Sequence, residues 1–165
     1  MTLIILIWSL IFTATLKAAS PVDLRRSISA HRAATWVHQQ TMGLKPTRTA
    51  HSELRTRSKR YLRWLNAVWL ERRLRWKARA ENPPHLREWL CIHRYEGSWR
   101  DPGAPYYGGL QMDIKFQRAY GWNLLKRKGT ADHWTPFEQM WVAERAWRKR
   151  GFSPWPNTAR YCKLL

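Results

Sequence analysis

Asn82-Pro83-Pro84 divides this chain. Two consecutive prolines remove two ladder N–H groups, and their rings clash with the preceding turn, so no helix runs across them. Ahead of them, residues 52–82 read as a basic, Trp-rich amphipathic helix. Leu54, Tyr61, Leu65, Val68, Trp69 and Trp76 recur at spacings of 3, 4 and 7, with Arg and Lys filling the other faces. Continuous over 52–80, such a helix would be a rod of about 40 Å. Behind the prolines, residues 85–165 carry the capping, turn and glycine signals of a small domain.

Within that unit, residues 85–96 predict a helix with Leu86, Trp89, Leu90 and Ile92 inward and Gly97 as a left-handed stop. Asp101-Pro102-Gly103 is a turn signal. Tyr106-Tyr107 and Leu110-Gln111-Met112, joined by Gly108-Gly109, predict a short extended pair in which backbone approaches something closely. Asp113 is a natural N-cap for a short helix through Phe116 and Tyr120 that stops at Gly121. Thr135-Pro136-Phe137-Glu138 is a capping box with proline at the first helical position, and Gly151 ends the helix it opens. The fold class expected is mainly α (α+β), with one short β-hairpin.

The rest of the chain is less explicit. In residues 20–51, Ala33, Trp36, Val37 and Gln40 could share a short helical face. Gly43, Pro46 and scattered Thr make the whole read as a poorly structured linker. Residues 3–16 hold no charge and are mostly apolar, too short for a membrane span of about 20 residues and matched to a signal-peptide core. Small residues Ala18, Ala19 and Ser20 follow. Residues 1–19 are therefore expected to be a signal peptide, or an anchor through 3–16, placing the protein outside the cell or on its surface.

Charge narrows the partners without choosing one. Thirty Lys and Arg against 11 Asp and Glu give a net +19, with 16 basic and 4 acidic side chains in residues 1–84 and 14 and 7 in 85–165. Such a field attracts polyanions generally. No nucleic-acid fingerprint accompanies it, so no specific nucleic acid is expected. An anionic membrane or wall polymer could meet residues 52–80. The 12 tryptophans suit sugar stacking, interfaces and cores alike. Cys91 and Cys162 permit one disulfide in an exported chain. Cys91-x-His93 lacks a second pair at ligand spacing, so no metal is expected and no cofactor is needed.

Glu96 is the residue with chemistry to offer. Protonating a glycosidic leaving group calls for a carboxylic acid that keeps its proton near neutrality. Aromatic neighbours such as Tyr95 and Trp99, and a helix C-terminus, act in that direction. Glu96-Gly-Ser-Trp99, then Tyr106-Tyr-Gly-Gly-Leu-Gln-Met-Asp113, then Trp155-Pro156 and Cys162, resembles the catalytic domain of resuscitation-promoting factors. Their relatives are transglycosylase-like domains of the lysozyme superfamily, found in actinobacterial secreted proteins and phages. The likeness covers roughly residues 85–165.

That resemblance implies a small lysozyme-like domain that cleaves the β-1,4 bond between N-acetylmuramic acid and N-acetylglucosamine in peptidoglycan. Glu96 matches the family's catalytic glutamate. Asp113 matches a nearby carboxylate, ahead of Asp101 as a candidate nucleophile or base. Trp99, Tyr106, Tyr107, Gly109 and Trp155 would line the sugar cleft, and Gln111 would hydrogen-bond substrate. The family's one disulfide maps onto Cys91 and Cys162. Its cysteine usually directly precedes the glutamate, whereas Cys91 stands five residues before Glu96, about 140° round a helix from it. The rival expectation from another class is a non-catalytic cationic wall- or membrane-binding protein on the same scaffold.

Overall fold

A computed structural model describes residues 19–165. The apolar run at 3–16 lies outside the described residues. The fold is mainly α: six α-helices and two 3-10 turns surround one two-stranded antiparallel sheet among the described residues. No helix among them is long and apolar enough to cross a membrane.

The first correction concerns residues 20–51, which are not an unstructured linker. Pro21–Thr41 is a 21-residue helix, α1, opened by a capping box between Ser20 and Asp23 with proline in the first turn. Its buried side chains are Leu24, Ile28, Arg32, Thr35 and Gln39, whereas Ala33, Val37 and Gln40 face solvent. A second correction concerns residues 52–58. A 3-10 turn at His51–Leu54 and an extended stretch precede α2, Lys59–Ala80, which starts at a Ser58 cap and is about 33 Å long.

The segment between the two helices runs back along α1, so α1 and α2 lie parallel. Near the end of α1, Trp36 Nε1 donates to the Thr47 carbonyl at 3.1 Å and Gln39 Nε2 donates to the Thr47 hydroxyl at 2.7 Å. Further back, Arg32 pairs with Glu53. At the start of the helix, Arg25 donates to the carbonyls of Leu54 and Thr56. Leu24, Ile28, Leu62, Leu65 and Trp69 then form a core between the helices, each worth roughly 1.5–3 kcal/mol of burial. Trp69 is flanked by the guanidinium groups of Arg32 and Arg72 at 5.0 and 4.8 Å.

The parallel pair meets the C-terminal unit at its far end. Met42, Trp76 and Ala80 pack on Trp141 and Phe137. Trp141 Nε1 donates to the Ala80 carbonyl at 2.8 Å, satisfying one of the last carbonyls of α2.

The C-terminal unit runs α3 (Leu86–Glu96), β1 (Tyr106–Tyr107), β2 (Met112–Asp113), α4 (Ile114–Lys128), a 3-10 turn, α5 (Pro136–Arg150) and α6 (Pro156–Tyr161). Its core centres on Trp89, Ile92, Leu110, Met112, Trp134 and Val142. Leu90, expected inward, is 47% exposed. The capping box at Thr135 and the stop at Gly151 stand where the sequence puts them. Asp113 caps α4, but that helix passes Gly121 at a kink and continues to Lys128. Gly121 is required for space: a Cβ there would lie 2.6 Å from the Trp134 ring.

Candidate active site

Glu96 is the last residue of α3. Gly97 ends the helix at φ 150°, a conformation open mainly to glycine. This is not the left-handed stop expected, and it turns the chain out in extended form. The Glu96 carboxylate is half-buried, and its Oε1 accepts a hydrogen bond from the Thr158 hydroxyl of α6 at 2.7 Å. Cys91 of α3 is bridged to Cys162 just past α6, with Cα atoms 6.0 Å apart. One covalent and one polar link therefore fix α6 to the helix that carries the glutamate.

The chain leaves Gly97 against the tip of the hairpin. A Cβ at position 97 would stand 3.4 Å from both Asp101 Oδ2 and Gln111 Nε2. Those two atoms are themselves bonded at 2.8 Å, and Gln111 Nε2 also donates to the Gly108 carbonyl at 3.0 Å. Both amide hydrogens are thus committed, which orients the Gln111 amide oxygen. Gln111 sits at φ 47°, a left-handed backbone that a side-chain-bearing residue rarely adopts. Such outliers persist where the surroundings over-determine them. Here the Gln111 N–H bond to the Gly108 carbonyl and the Asp101 clamp supply that constraint.

Asp101 has a larger part than its turn signal suggested. Its Oδ1 accepts from the Gly103 N–H at 3.0 Å, closing the turn, and its carbonyl accepts from Gly108 at 2.8 Å. One carboxylate therefore shapes the turn after Trp99 and holds Gln111.

Behind the hairpin stands Gln139 of α5, fully buried, which sequence reasoning missed. Its Oε1 accepts from the Gly109 N–H, and its Nε2 donates to the carbonyls of Trp99 and Ala131. A Cβ on Gly108 would come within 2.5 Å of Gln139, and one on Gly109 within 2.6 Å of His93. The glycine pair does serve a close approach, but to the protein's own side chains. Gly109 is buried there and leaves little surface for a substrate, which corrects its expected place in a sugar cleft.

The aromatic residues divide. Tyr106 is exposed at the hairpin, paired in register with Asp113, while Tyr107, opposite Met112, is half-buried against the core. Trp99 is half-buried and stacks on His93 at 3.9 Å, so one ring face is already covered. Trp155 is only 4% exposed. Its Nε1 donates to the Leu110 carbonyl at 2.7 Å, and its ring packs on Trp89 and Phe116. It is a core residue that offers only an edge to the surface.

That edge borders a cavity of about 410 Å³ whose walls include Tyr106, Gln111, Asp113, Lys115 and Arg150. Asp113 Oδ1 accepts from the Phe116 N–H at 2.6 Å, so this carboxylate caps α4 as well as facing the cavity. Glu96 does not line it. Its carboxylate is bonded to Thr158, and the residue after it, Gly97, stands against the Asp101–Gln111 clamp. Among the described residues no cluster of three His, Cys, Asp or Glu has the disposition of a metal site. No protein-family model and no curated protein matches the chain.

Proposed function

We propose that residues 85–165 form a peptidoglycan-cleaving glycosidase of the transglycosylase-like, lysozyme-superfamily type, with Glu96 as general acid. The observation that carries this reading is the setting of Glu96: a half-buried carboxylate at a helix end, held by Thr158, with the residue after it, Gly97, against the clamped Gln111. The substrate would be a glycan strand with its β-1,4 bond at Glu96 and its sugars along the hairpin. Tyr106 would lie against a ring face, and the oriented Gln111 amide would meet a polar sugar substituent.

Glu96 would protonate the glycosidic oxygen as the C1–O bond breaks. Asp113 is engaged in capping α4, which favours a route in which Glu96 acts alone. The muramic N-acetyl oxygen would stabilise the developing cation. The C6 hydroxyl would then attack C1 and return its proton to Glu96, leaving a 1,6-anhydro end. An exported, basic chain suits this work, since bacterial walls and membranes are anionic. The exposed Trp64 and Leu74 of α2, set among arginines, are the surface offered to such a partner.

The test is clearing of purified peptidoglycan by the wild type and by Glu96→Gln, with mass spectrometry of the products. Clearing by the wild type alone, with anhydro ends, is the expected result. Equal clearing by both proteins, or by neither, overturns the enzyme reading, and reducing ends overturn the single-acid route. One observation favours the non-catalytic wall-binding alternative: the cavity bordered by Tyr106, Gln111 and Asp113 does not include Glu96. On that reading both proteins pellet with peptidoglycan and neither releases soluble fragments.

A further inference from the structure

The junction between the parallel helix pair and α5 encloses a second cavity, of about 590 Å³, remote from the glutamate. Its walls carry four arginines, Arg75 and Arg79 from α2 and Arg145 and Arg148 from α5, and no carboxylate. Arg75 is paired with Glu71, but Arg79, Arg145 and Arg148 have no acidic partner among the described residues.

Arg145 is the most buried of them. Its Nε donates to the Tyr120 carbonyl at 2.6 Å, which fixes the guanidinium plane. Its Nη1 is buried with no hydrogen-bond partner. That nitrogen lies so close to Gly43 that a Cβ there would be 3.2 Å from it. Burial, with the Arg148 charge adding to it, pushes the Arg145 pKa down to about 10. A buried cation without a counter-charge is costly, and an anion placed against it relieves the cost. Apart from Asn82, the remaining wall is apolar, with Met42, Leu44 and Trp141 its largest side chains.

We infer that this junction binds a phosphate ester bearing an apolar group. Guanidinium forks lining the cavity from two helices match a tetrahedral phosphate better than a planar carboxylate, because its non-bridging oxygens point in different directions and can be met from both helices. The Met42–Leu44–Trp141 wall takes the apolar substituent. The same chemistry is offered by a free phosphate ester and by the headgroup region of an anionic phospholipid.

Calorimetric titration of the purified protein with hexyl phosphate and with inorganic phosphate tests the site. Hexyl phosphate should bind at least about tenfold more tightly than inorganic phosphate, because only it reaches the apolar wall. The Arg145→Gln/Arg148→Gln double variant should lose about tenfold or more in hexyl phosphate affinity, the scale of one or two charge-assisted hydrogen bonds. Arg148→Gln alone, at an exposed position, keeps the test sound should the double variant misfold, and should weaken binding about threefold. Lys126→Gln/Lys149→Gln removes the same charge elsewhere on the surface and should change affinity less than about twofold. Equal losses in the junction and control variants, or equal binding of the two phosphates, overturn the proposal. Pelleting with phosphatidylglycerol vesicles separates the sources. Competition by hexyl phosphate and weaker pelleting of the junction variant identify the lipid headgroup, and vesicle binding indifferent to both identifies a soluble ester.

Discussion

The Thr158 hydroxyl of α6 donates to Oε1 of Glu96 at the end of α3, at 2.7 Å and across 62 residues of sequence. Thr158 is itself 7% exposed, so this is an aimed, sheltered hydrogen bond. In the proposed role Glu96 gives and retakes a proton at one oxygen, and such an acid benefits from having its other oxygen fixed. Thr158→Val keeps shape and removes the donor. If Glu96 acts as proposed, kcat on solubilised glycan strands should fall about tenfold with KM unchanged, the effect of one lost positioning hydrogen bond. Thr158→Ser should restore most of the rate, which a purely packing role for the threonine would not predict.

The Cys91–Cys162 bridge closes a 71-residue separation around the whole C-terminal unit. Loop entropy alone puts its contribution at about 4 kcal/mol. The Cys91→Ser/Cys162→Ser variant should therefore unfold at clearly lower urea, with α6 detaching from α3 and the Thr158–Glu96 hydrogen bond breaking as it does. Activity should then fall further than stability at the assay temperature explains. Unchanged activity in a folded, bridge-free variant would show that the hydrogen bond needs no covalent support.

The limits of the sequence are clearest at α1. Its buried face mixes Leu24 and Ile28 with Arg32, Thr35 and Gln39, so no apolar stripe announces a helix. The signal present was Ser20-Pro21 with Asp23, a capping box hidden beside small residues that read as a cleavage neighbourhood. By contrast, α5 was legible at both ends, because Thr135, Glu138 and Gly151 act locally. The hairpin was legible for the same reason. Gln139 and Thr158 were not, since the partners that tie them to the site, Gly109, Trp99 and Glu96, lie 30 to 62 residues away. Gly108-Gly109 was read for close approach, but nothing local says that the approaching groups are Gln139, His93 and Trp99.

Asp113 can be separated into its two parts. Asn caps a helix about as well as Asp, whereas Ala forfeits about 1 kcal/mol. Asp113→Asn should thus leave the urea midpoint near wild type, and Asp113→Ala should lower it. With Glu96 acting alone, Asp113→Asn should keep activity within about threefold, well short of losing a catalytic carboxylate. A loss of about a thousandfold in a stable Asp113→Asn protein would make Asp113 the second carboxylate.

The helix pair should weaken in mild acid. Burial, then the Arg73 charge, lowers the pKa of His31 below 6.5. For His38 burial lowers it most, Glu81 opposes, and Lys77 and Arg73 add to the lowering. The unfolded chain therefore takes up these protons first as pH falls through about 6.5, and the stability present at higher pH is lost towards the lower folded values. The thermal midpoint should be lower at about pH 5 than at about pH 7.5. His31→Gln/His38→Gln should narrow that difference, and an unaltered difference would assign the effect to other groups.

Gly121 bends α4 at φ −129°, where any residue could sit, so its glycine is a matter of room rather than of backbone freedom. An added Cβ meets Trp134 Cη2 at 2.6 Å and Val142 Cγ2 at 3.1 Å. Trp134 cannot swing aside easily, since it is fully buried and its Nε1 donates to the Gly129 carbonyl at 2.9 Å. Gly121→Ala should cost about 1–3 kcal/mol through overpacking. The usual helix-propensity gain of about 1 kcal/mol does not offset it, because residue 121 is not helical. Trimming the opposing ring tests the cause: Gly121→Ala/Trp134→Phe should be less destabilised than the sum of its single variants. Additive losses in urea midpoints at constant m would place the strain somewhere other than the Gly121–Trp134 pair.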